Sequence, residues 1–412
     1  MNRSFLSLLI AVLPLAVCAQ LSVHTDFEGG SGKVLSLDSA GGVIRLMPGG
    51  DISRGWPCWW SIRIDGATPG REITLELVPS DQAQKQPGAG QGKPLSASWS
   101  RPERPSVSPD GVVWRHGEPG VLLPDRMTYR IKPETATLWI AWGPAFTATT
   151  AKTLIDQAAQ SPRARPFVLA TTREGRPVHA VRVAEGPGKP ALWLQARQHA
   201  WESGGSWVGA GILEWLLSGD PLANQLCDQC EIVLVPLMDV DHVTTGDGGK
   251  DALPQDHNRD WQDQPHWPEV AAAQRHLLAY AKEKRLRVFC DLHNPGPSDK
   301  KAFFFVSPKD IISPASWETQ HHFIDLTREE FAGNPIPLEI TPRESGPGYH
   351  PLWRQISKNW VHSQCGDDVL SVTLETAWNT PGSTVEGYKK TGAALGRALA
   401  RHLAATRVRV AE

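Results

Sequence analysis

The stretch that decides the fold is Ala191-Leu-Trp-Leu-Gln-Ala-Arg-Gln-His-Ala-Trp-Glu202. Its first six residues are a largely apolar run of strand length, the pattern of a strand buried on both faces. Polar chemistry begins where that run ends, with His199 and Glu202. Ser206 to Leu217 then carries apolar residues on a helical period and stops at Ser218-Gly219 and Pro221. A buried strand, a polar turn and a helix therefore follow one another here.

The same grammar recurs downstream. Glu231 to Met238, Arg287 to Leu292 and Val369 to Leu374 read as further strands. Pro268 to Lys284 reads as a helix with Pro in its first turn, Val270, Leu277, Leu278 and Ala281 on one face, and basic residues at its end. Such alternation predicts an α/β domain over 149–412, a mostly parallel mixed sheet flanked by helices.

Upstream, 20–148 predicts a small all-β sandwich. Val43 to Met47, Trp59 to Ile64, Glu72 to Val78, Val112 to Arg115, Met127 to Ile131 and Thr137 to Trp142 are short strand-like stretches separated by Pro and Gly. Asp81 to Pro109 is polar and reads as a long loop. Two domains suit a chain of 412 residues, which exceeds one ordinary core.

Residues 1–19 read as a signal peptide, with Arg3, an apolar run from Phe5 to Ala16, and Val17-Cys18-Ala19 before Gln20. The mature protein is expected to be exported, to the periplasm or beyond. No second apolar run of membrane length follows, so no membrane span is expected. With 42 basic against 44 acidic residues, charge gives no reason to expect a nucleic-acid partner. Cleavage leaves Cys58, Cys227, Cys230, Cys290 and Cys365, too dispersed for a disulfide scaffold; Cys227 and Cys230 read as a local disulfide or two ordinary thiols. Nothing in the sequence fixes the oligomeric state.

In open α/β sheets ligands bind beyond the carboxyl ends of the strands. His199 and Glu202 follow one predicted strand, His293 a second and Glu375 a third. Two imidazoles and one carboxylate, with a coordination position left for water, form the catalytic zinc pattern. The expectation is one zinc per chain on His199, Glu202 and His293, with Glu375 off the metal to take the water's proton. His-x-x-Glu alone is weak, since it recurs at His266 and Glu269 with no strand leading in.

Arg197-Gln-His-Ala-Trp-Glu-Ser203, His257-Asn-Arg-Asp-Trp261, Asp291-Leu-His-Asn294 and Thr373-Leu-Glu-Thr-Ala-Trp378 together resemble the ordered motifs of the M14 zinc carboxypeptidases. They are most similar to the branch of cytosolic carboxypeptidases, in which a β-sandwich precedes the catalytic domain. The resemblance covers about residues 150 to 400. It implies zinc ligands at His199, Glu202 and His293, Glu375 as general acid/base, and a peptide substrate whose free terminal carboxylate is held by Asn258 and Arg259. An Arg suits that task because its planar fork meets a carboxylate in bidentate fashion. Read from the residues alone, Arg259 is a surface group paired with Asp256 or Asp260, and only the surrounding motifs reverse that reading.

The chain departs from the family pattern at two places. Lys250 stands about where the family has an oxyanion Arg, and it reads either as that donor or as a solvated loop charge. Met238-Asp-Val-Asp-His242 replaces the usual Asn-Pro-Asp-Gly stretch, and its spacing does not match a calcium loop. Tyr349 is the candidate for the family's mobile Tyr, and Arg354, Lys358 and Trp360 are candidates for the pocket floor. The alternatives are a deacylase or cell-wall peptide amidase on the same fold, or a non-catalytic zinc or carbohydrate binder using Trp56, Trp59, Trp60, Trp99 and Trp114.

Overall fold

A computed structural model describes residues 20–84 and 92–411, with side chains described to 405. Residues 1–19, read above as a signal peptide, and part of the expected long loop, 85–91, lie outside the described residues. The amino-terminal strands are β1 (Ser22–His24), β2 (Lys33–Asp38), β3 (Val43–Met47), β4 (Ser61–Asp65) and β5 (Ile73–Leu77), then β6 (Ser106–Ser108), β7 (Arg115–His116), β8 (Val121–Leu122), β9 (Met127–Ile131) and β10 (Leu138–Ala141). They form two sheets of five strands, ordered β1-β4-β10-β6-β7 and β2-β3-β5-β9-β8. Ile44, Leu75 and Tyr129 of one sheet and Ile62, Ile64 and Ile140 of the other are fully buried in a shared core. This is a β-sandwich, as the sequence predicts.

Val112 to Arg115 corrects one expectation. The Asp110 carboxylate accepts the backbone N–H of both Val112 and Val113 at 2.8 Å, folding them into a turn. Only Arg115 enters a strand. Local capture by an Asp side chain wins over β propensity.

The carboxy-terminal half holds β11 (Ala164–Thr171), β12 (Pro177–Val183), β13 (Ala191–Ala196), β14 (Glu231–Val235), β15 (Leu286–His293), β16 (Phe303–Val306), β17 (Arg343–Glu344) and β18 (Leu370–Glu375). They form one sheet in the order β11-β12-β14-β13-β15-β18-β16-β17. The four central strands run parallel, while β11, β12 and β16 pair antiparallel with their inner neighbours. The helices are α1 (Ala148–Ala158), α2 (Ser203–Leu216), α3 (Pro221–Gln229), α4 (Val240–Thr245), α5 (Pro268–Lys282), α6 (Pro314–Glu330), α7 (Ser357–Cys365) and α8 (Val385–Ala411).

Side chains an odd number of positions apart on β15 show the two faces of this sheet. Phe289 meets Trp261, which packs on Trp360 of α7, whereas Leu292 faces Gly209 of α2. Helices therefore cover both sides, and the central strands are buried throughout. In α5, Val270 and Leu277 are buried as expected, but Leu278 is 42% exposed and leaves the core face. The five described cysteines named above are buried, and no disulfide joins any of them. No helix among the described residues is long and apolar enough to cross a membrane.

Candidate metal centre and substrate pocket

Strand β13 ends at Ala196, and the next residue, Arg197, has a φ of 67° that turns the chain sharply. The buried Arg197 guanidinium holds that turn by donating from Nε to the Ala200 carbonyl at 2.6 Å and from Nη1 to that of Phe146 at 3.2 Å. His199 and Glu202 lie on the turn, and α2 starts immediately after. On the neighbouring parallel strands β15 and β18, His293 and Glu375 are register partners. The start of α2 approaches β15 so closely that a Cβ on Gly205 would sit 2.5 Å from the Leu292 carbonyl oxygen. Glycine there lets the helix bring Glu202 against His293.

His199, Glu202 and His293 offer donor atoms that all lie within 4.8 Å of one another, and all three residues are buried. Glu202 Oε1 is 2.8 Å from His199 Nδ1 and Oε2 is 2.7 Å from His293 Nδ1. Burial alone would raise the Glu202 pKa, but the two imidazoles hold it down to about 2. The outer ring nitrogens face carboxylates: His293 Nε2 is 3.0 Å from Asp291 and His199 Nε2 is 3.6 Å from Asp256. Carboxylates behind metal-ligating histidines fix the tautomer and raise ligand basicity, so this donor set fits zinc.

Asp291 is itself held, accepting from Ser357 Oγ at 2.6 Å and from Gln198 Nε2, while Gln198 accepts from the Trp261 indole at 2.7 Å. Asp256 and Asp291 escape sequence reasoning as functional groups. Their only signal is position, Asp256 just before His257-Asn-Arg and Asp291 as the first residue of the motif that carries His293.

Glu375 is 9% exposed, and its Oε2 has no hydrogen-bond partner among the described residues. Burial pushes its pKa up to about 8, against the pull of His293 and Lys250. Lys250 Nζ lies 3.6 Å from Asp256 Oδ2, with the side chain 14% exposed. It is thus not a fully solvated loop charge.

Arg259 is buried and makes no ion pair among the described residues; Nη1 donates to the Asn258 carbonyl at 2.8 Å and Nε has no partner. The surface pairing with Asp256 or Asp260 is therefore not what forms. Asn258 Oδ1 accepts from Ser357 N at 2.9 Å, and its Nδ2 lies 3.3 Å from His293 Nε2. With the Nε2 proton of His293 directed at Asp291, that Asn258 amide keeps a donor for a ligand.

Tyr349 is 47% exposed, and its ring lies 5.9 Å from the Arg259 guanidinium carbon. Of the three pocket-floor candidates, Arg354 points outward and lies over Trp353, and Trp360 packs on Trp261. Lys358 is fully buried, with Nζ bonded to Asn359 Oδ1 at 2.7 Å. Asn359 donates in turn to the Ser345 and Trp353 carbonyls, placing the amine under the loop that carries Tyr349. Trp59, Trp60 and Trp114 are core residues, and Trp56 and Trp99 pack against the same core, so none offers an open sugar-stacking platform.

The family model described as zinc carboxypeptidase matches residues 152–282. Among curated proteins, mouse cytosolic carboxypeptidase 4 is 26% identical over 236 residues, which is 49% of this chain and 21% of that protein. Mouse cytosolic carboxypeptidase 1 is 37% identical over 136 residues, 32% of this chain and 11% of that one. The chain thus spans about a fifth or less of the length of these relatives. Among solved structures, a metallo-carboxypeptidase from Burkholderia cenocepacia superposes with a TM-score of 0.78 at 21% identity, over 94% of this chain and 100% of that one. A metallo-carboxypeptidase from Pseudomonas aeruginosa, in complex with (2-guanidinoethylmercapto)succinic acid, gives 0.75 at 23% identity, over 92% and 98%. At such identities these likenesses establish the shared two-part fold.

Proposed function

We propose that this chain, which carries an M14 zinc carboxypeptidase domain, removes carboxy-terminal residues from peptides by zinc-assisted hydrolysis. The observation that carries the reading is a pairing of opposites joined through Asn258, which neighbours Arg259 and whose Nδ2 lies 3.3 Å from His293 Nε2. On one side stand the three buried metal donors with Glu375 in register, and on the other a buried guanidinium with an unpaired N–H.

His199, Glu202 and His293 would hold one zinc, which when bound polarises a carbonyl and lowers the pKa of a water. Arg259 binds the substrate's terminal carboxylate through its fork, with the Asn258 amide as a second donor. That docking fixes the last peptide bond next to Glu375. The Glu375 carboxylate takes the proton of the attacking water and passes it to the leaving amine. Lys250 supplies positive charge at the oxyanion, steered by Asp256.

Lys358 selects the side chain. Burial holds this amine toward its neutral form in the free protein, and with no carboxylate partner among the described residues it takes up a proton only when a substrate brings one, so terminal Glu or Asp is the preferred residue. Export, as read from residues 1–19, is part of the proposal and is tested by amino-terminal sequencing of the secreted or periplasmic protein.

The deciding experiment compares peptides ending in a free carboxylate with their amidated counterparts, with and without a zinc chelator. Cleavage of the free acids alone, lost on chelation and restored by zinc, supports the reading. Strong activity on amides removes Arg259 from the role of carboxylate clamp. Full activity of Glu375→Gln with zinc bound would overturn the proton-transfer assignment.

A further inference from the structure

A second cluster lies behind the turn that carries Asn258 and Arg259. His257, 1% exposed, stacks its ring on Trp267 with centroids 4.5 Å apart and planes 8° from parallel. Its Nε2 is 2.5 Å from Glu269 Oε1. Its Nδ1 makes no hydrogen bond among the described residues and lies 3.6 Å from Asp239 Oδ2. That same oxygen is 2.8 Å from His242 Nδ1. Donor atoms of Asp239, His242 and His257 fall within 4.8 Å of one another, and all three residues are buried.

The arrangement resembles the first site, where one carboxylate also bridges two Nδ1 atoms, there through its two oxygens at 2.8 and 2.7 Å. A separation of 3.6 Å is long for a hydrogen bond, yet close to the edge, about 3.3–3.5 Å, of a tetrahedron built on metal bonds of about 2.0–2.1 Å. Glu269 behind His257 repeats the carboxylate–histidine arrangement that orients metal-bound imidazoles. Charge points the same way. Asp239 and Glu269 are 0% and 2% exposed, and no Lys or Arg forms an ion pair with either among the described residues. The nearby Arg197 guanidinium is committed to backbone carbonyls.

We propose that Asp239, His242 and His257 form a second divalent-cation site, with Glu269 as the outer carboxylate on His257. Two imidazole donors select zinc or a similar transition ion over calcium or magnesium, which want oxygen ligands. The site ties the end of β14 and the start of α4 to the carboxylate-binding turn, so its cation stiffens Asn258 and Arg259 from behind. Asp241 and Asp247, the other acids of this segment, are already paired with Arg176 and Arg54 and take no part.

The test is a metal count on the full chain. Protein stripped with a chelator is titrated with zinc chloride, freed of excess by gel filtration and analysed by mass spectrometry. The expected result is two zinc per chain, with one retained in His199→Ala/His293→Ala and one in Asp239→Asn/His242→Ala. Saturation of the wild type at a single equivalent that His199→Ala/His293→Ala abolishes would overturn the second site. If Asp239→Asn/His242→Ala does not fold, X-ray absorption of zinc-loaded His199→Ala/His293→Ala decides: two imidazoles and one carboxylate are expected, and any sulfur or all-oxygen shell refutes the assignment. The count is independent of hydrolysis, so an inactive protein leaves the result interpretable.

Discussion

Lys358 is the most informative side chain to remove. Its amine is fully buried and bonded to one neutral oxygen, that of Asn359. Burial pushes its pKa well below the ordinary 10.5, and the distant pull of Glu344 does not restore it. The unfolded chain therefore binds a proton that the folded chain has released, at every pH between the folded value and 10.5. Stability must rise with pH across that window, by about 1.4 kcal/mol per pH unit for one proton. Below the folded pKa the full penalty is present, and above 10.5 it vanishes because both states are neutral. In Lys358→Met, a change of similar volume, this contribution is absent. Urea unfolding of both proteins at pH 7, 8, 9 and 10, followed by Trp fluorescence, isolates it as a difference in which other titrating groups cancel. The variant's advantage should shrink toward high pH by about 1.4 kcal/mol per unit within the window. Parallel stability curves would mean that Lys358 keeps its charge in the folded state, paired with something the structure does not place beside it. The same variant should lose its preference for peptides ending in Glu or Asp while still cleaving apolar ends.

Arg259→Lys keeps the charge but removes the fork, and loss of a charge-assisted bond of about 1.5–3 kcal/mol should lower kcat/KM roughly 10- to 150-fold, mainly through KM. Steady-state kinetics on free-acid peptides check this; unchanged KM would place the terminal carboxylate elsewhere. Gly205→Ala pushes a methyl group onto the Leu292 carbonyl and should cost about 1–3 kcal/mol while weakening zinc binding at His293. Gly209→Ala, which meets the flexible side chains of Leu234 at 3.3 Å and Leu292 at 3.7 Å, should be neutral or stabilising in thermal melts; equal effects would show that the α2–β15 approach is not tight. Arg54→Ala strands the buried Asp247 carboxylate and should cost about 1–3 kcal/mol, with a fall in kcat larger than any change in metal content. An Arg54→Ala enzyme of normal kcat would separate the sandwich from catalysis.

What the sequence reveals follows burial. Val43–Met47, Met127–Ile131 and Ala191–Ala196 coincide with their expected stretches because each sits in a core, where composition tracks structure. The hairpin of β11 and β12 was not legible, since β11 carries Arg165 and Pro166 and exposes much of its length at a sheet edge. Exposed β2 hides for the same reason. In the candidate site, residues after strand ends could be found by position alone. Asp256 and Asp291 could not, because acting through a neighbouring imidazole leaves no spacing in the chain. The copy of His-x-x-Glu at His266 and Glu269 shows the limit most clearly. Its spacing carries no first-site chemistry, yet Glu269 turns inward to His257, twelve positions back, a partner that only the fold supplies.

The sandwich is built into the wall of the candidate site. Its segment 51–58 lies along the loop at 246–253, with Gly249 N donating to the Arg54 carbonyl at 2.9 Å, Trp56 N to that of Lys250 at 3.1 Å and Leu253 N to that of Ser53 at 2.7 Å. A Cβ on Gly55 would lie 2.1 Å from Gly249 N, and one on Gly248 2.1 Å from the Trp56 carbonyl, so the two backbones meet with no room between. Side chains lock the same seam: Arg54 to Asp247 at 2.6 Å, and the Trp56 indole to Asp251 at 2.9 Å. Trp201, next to Glu202, packs edge-on to Trp99 and Trp142 of the sandwich, and Trp378, three residues past Glu375, lies 4.2 Å from Trp142. Both carboxylates of the proposed reaction therefore sit on segments whose indoles are held by the other half of the molecule. Rigid packing of this kind transmits strain rather than absorbing it, so a substitution in the sandwich reaches the site through Lys250 and the Trp cluster without touching a ligand.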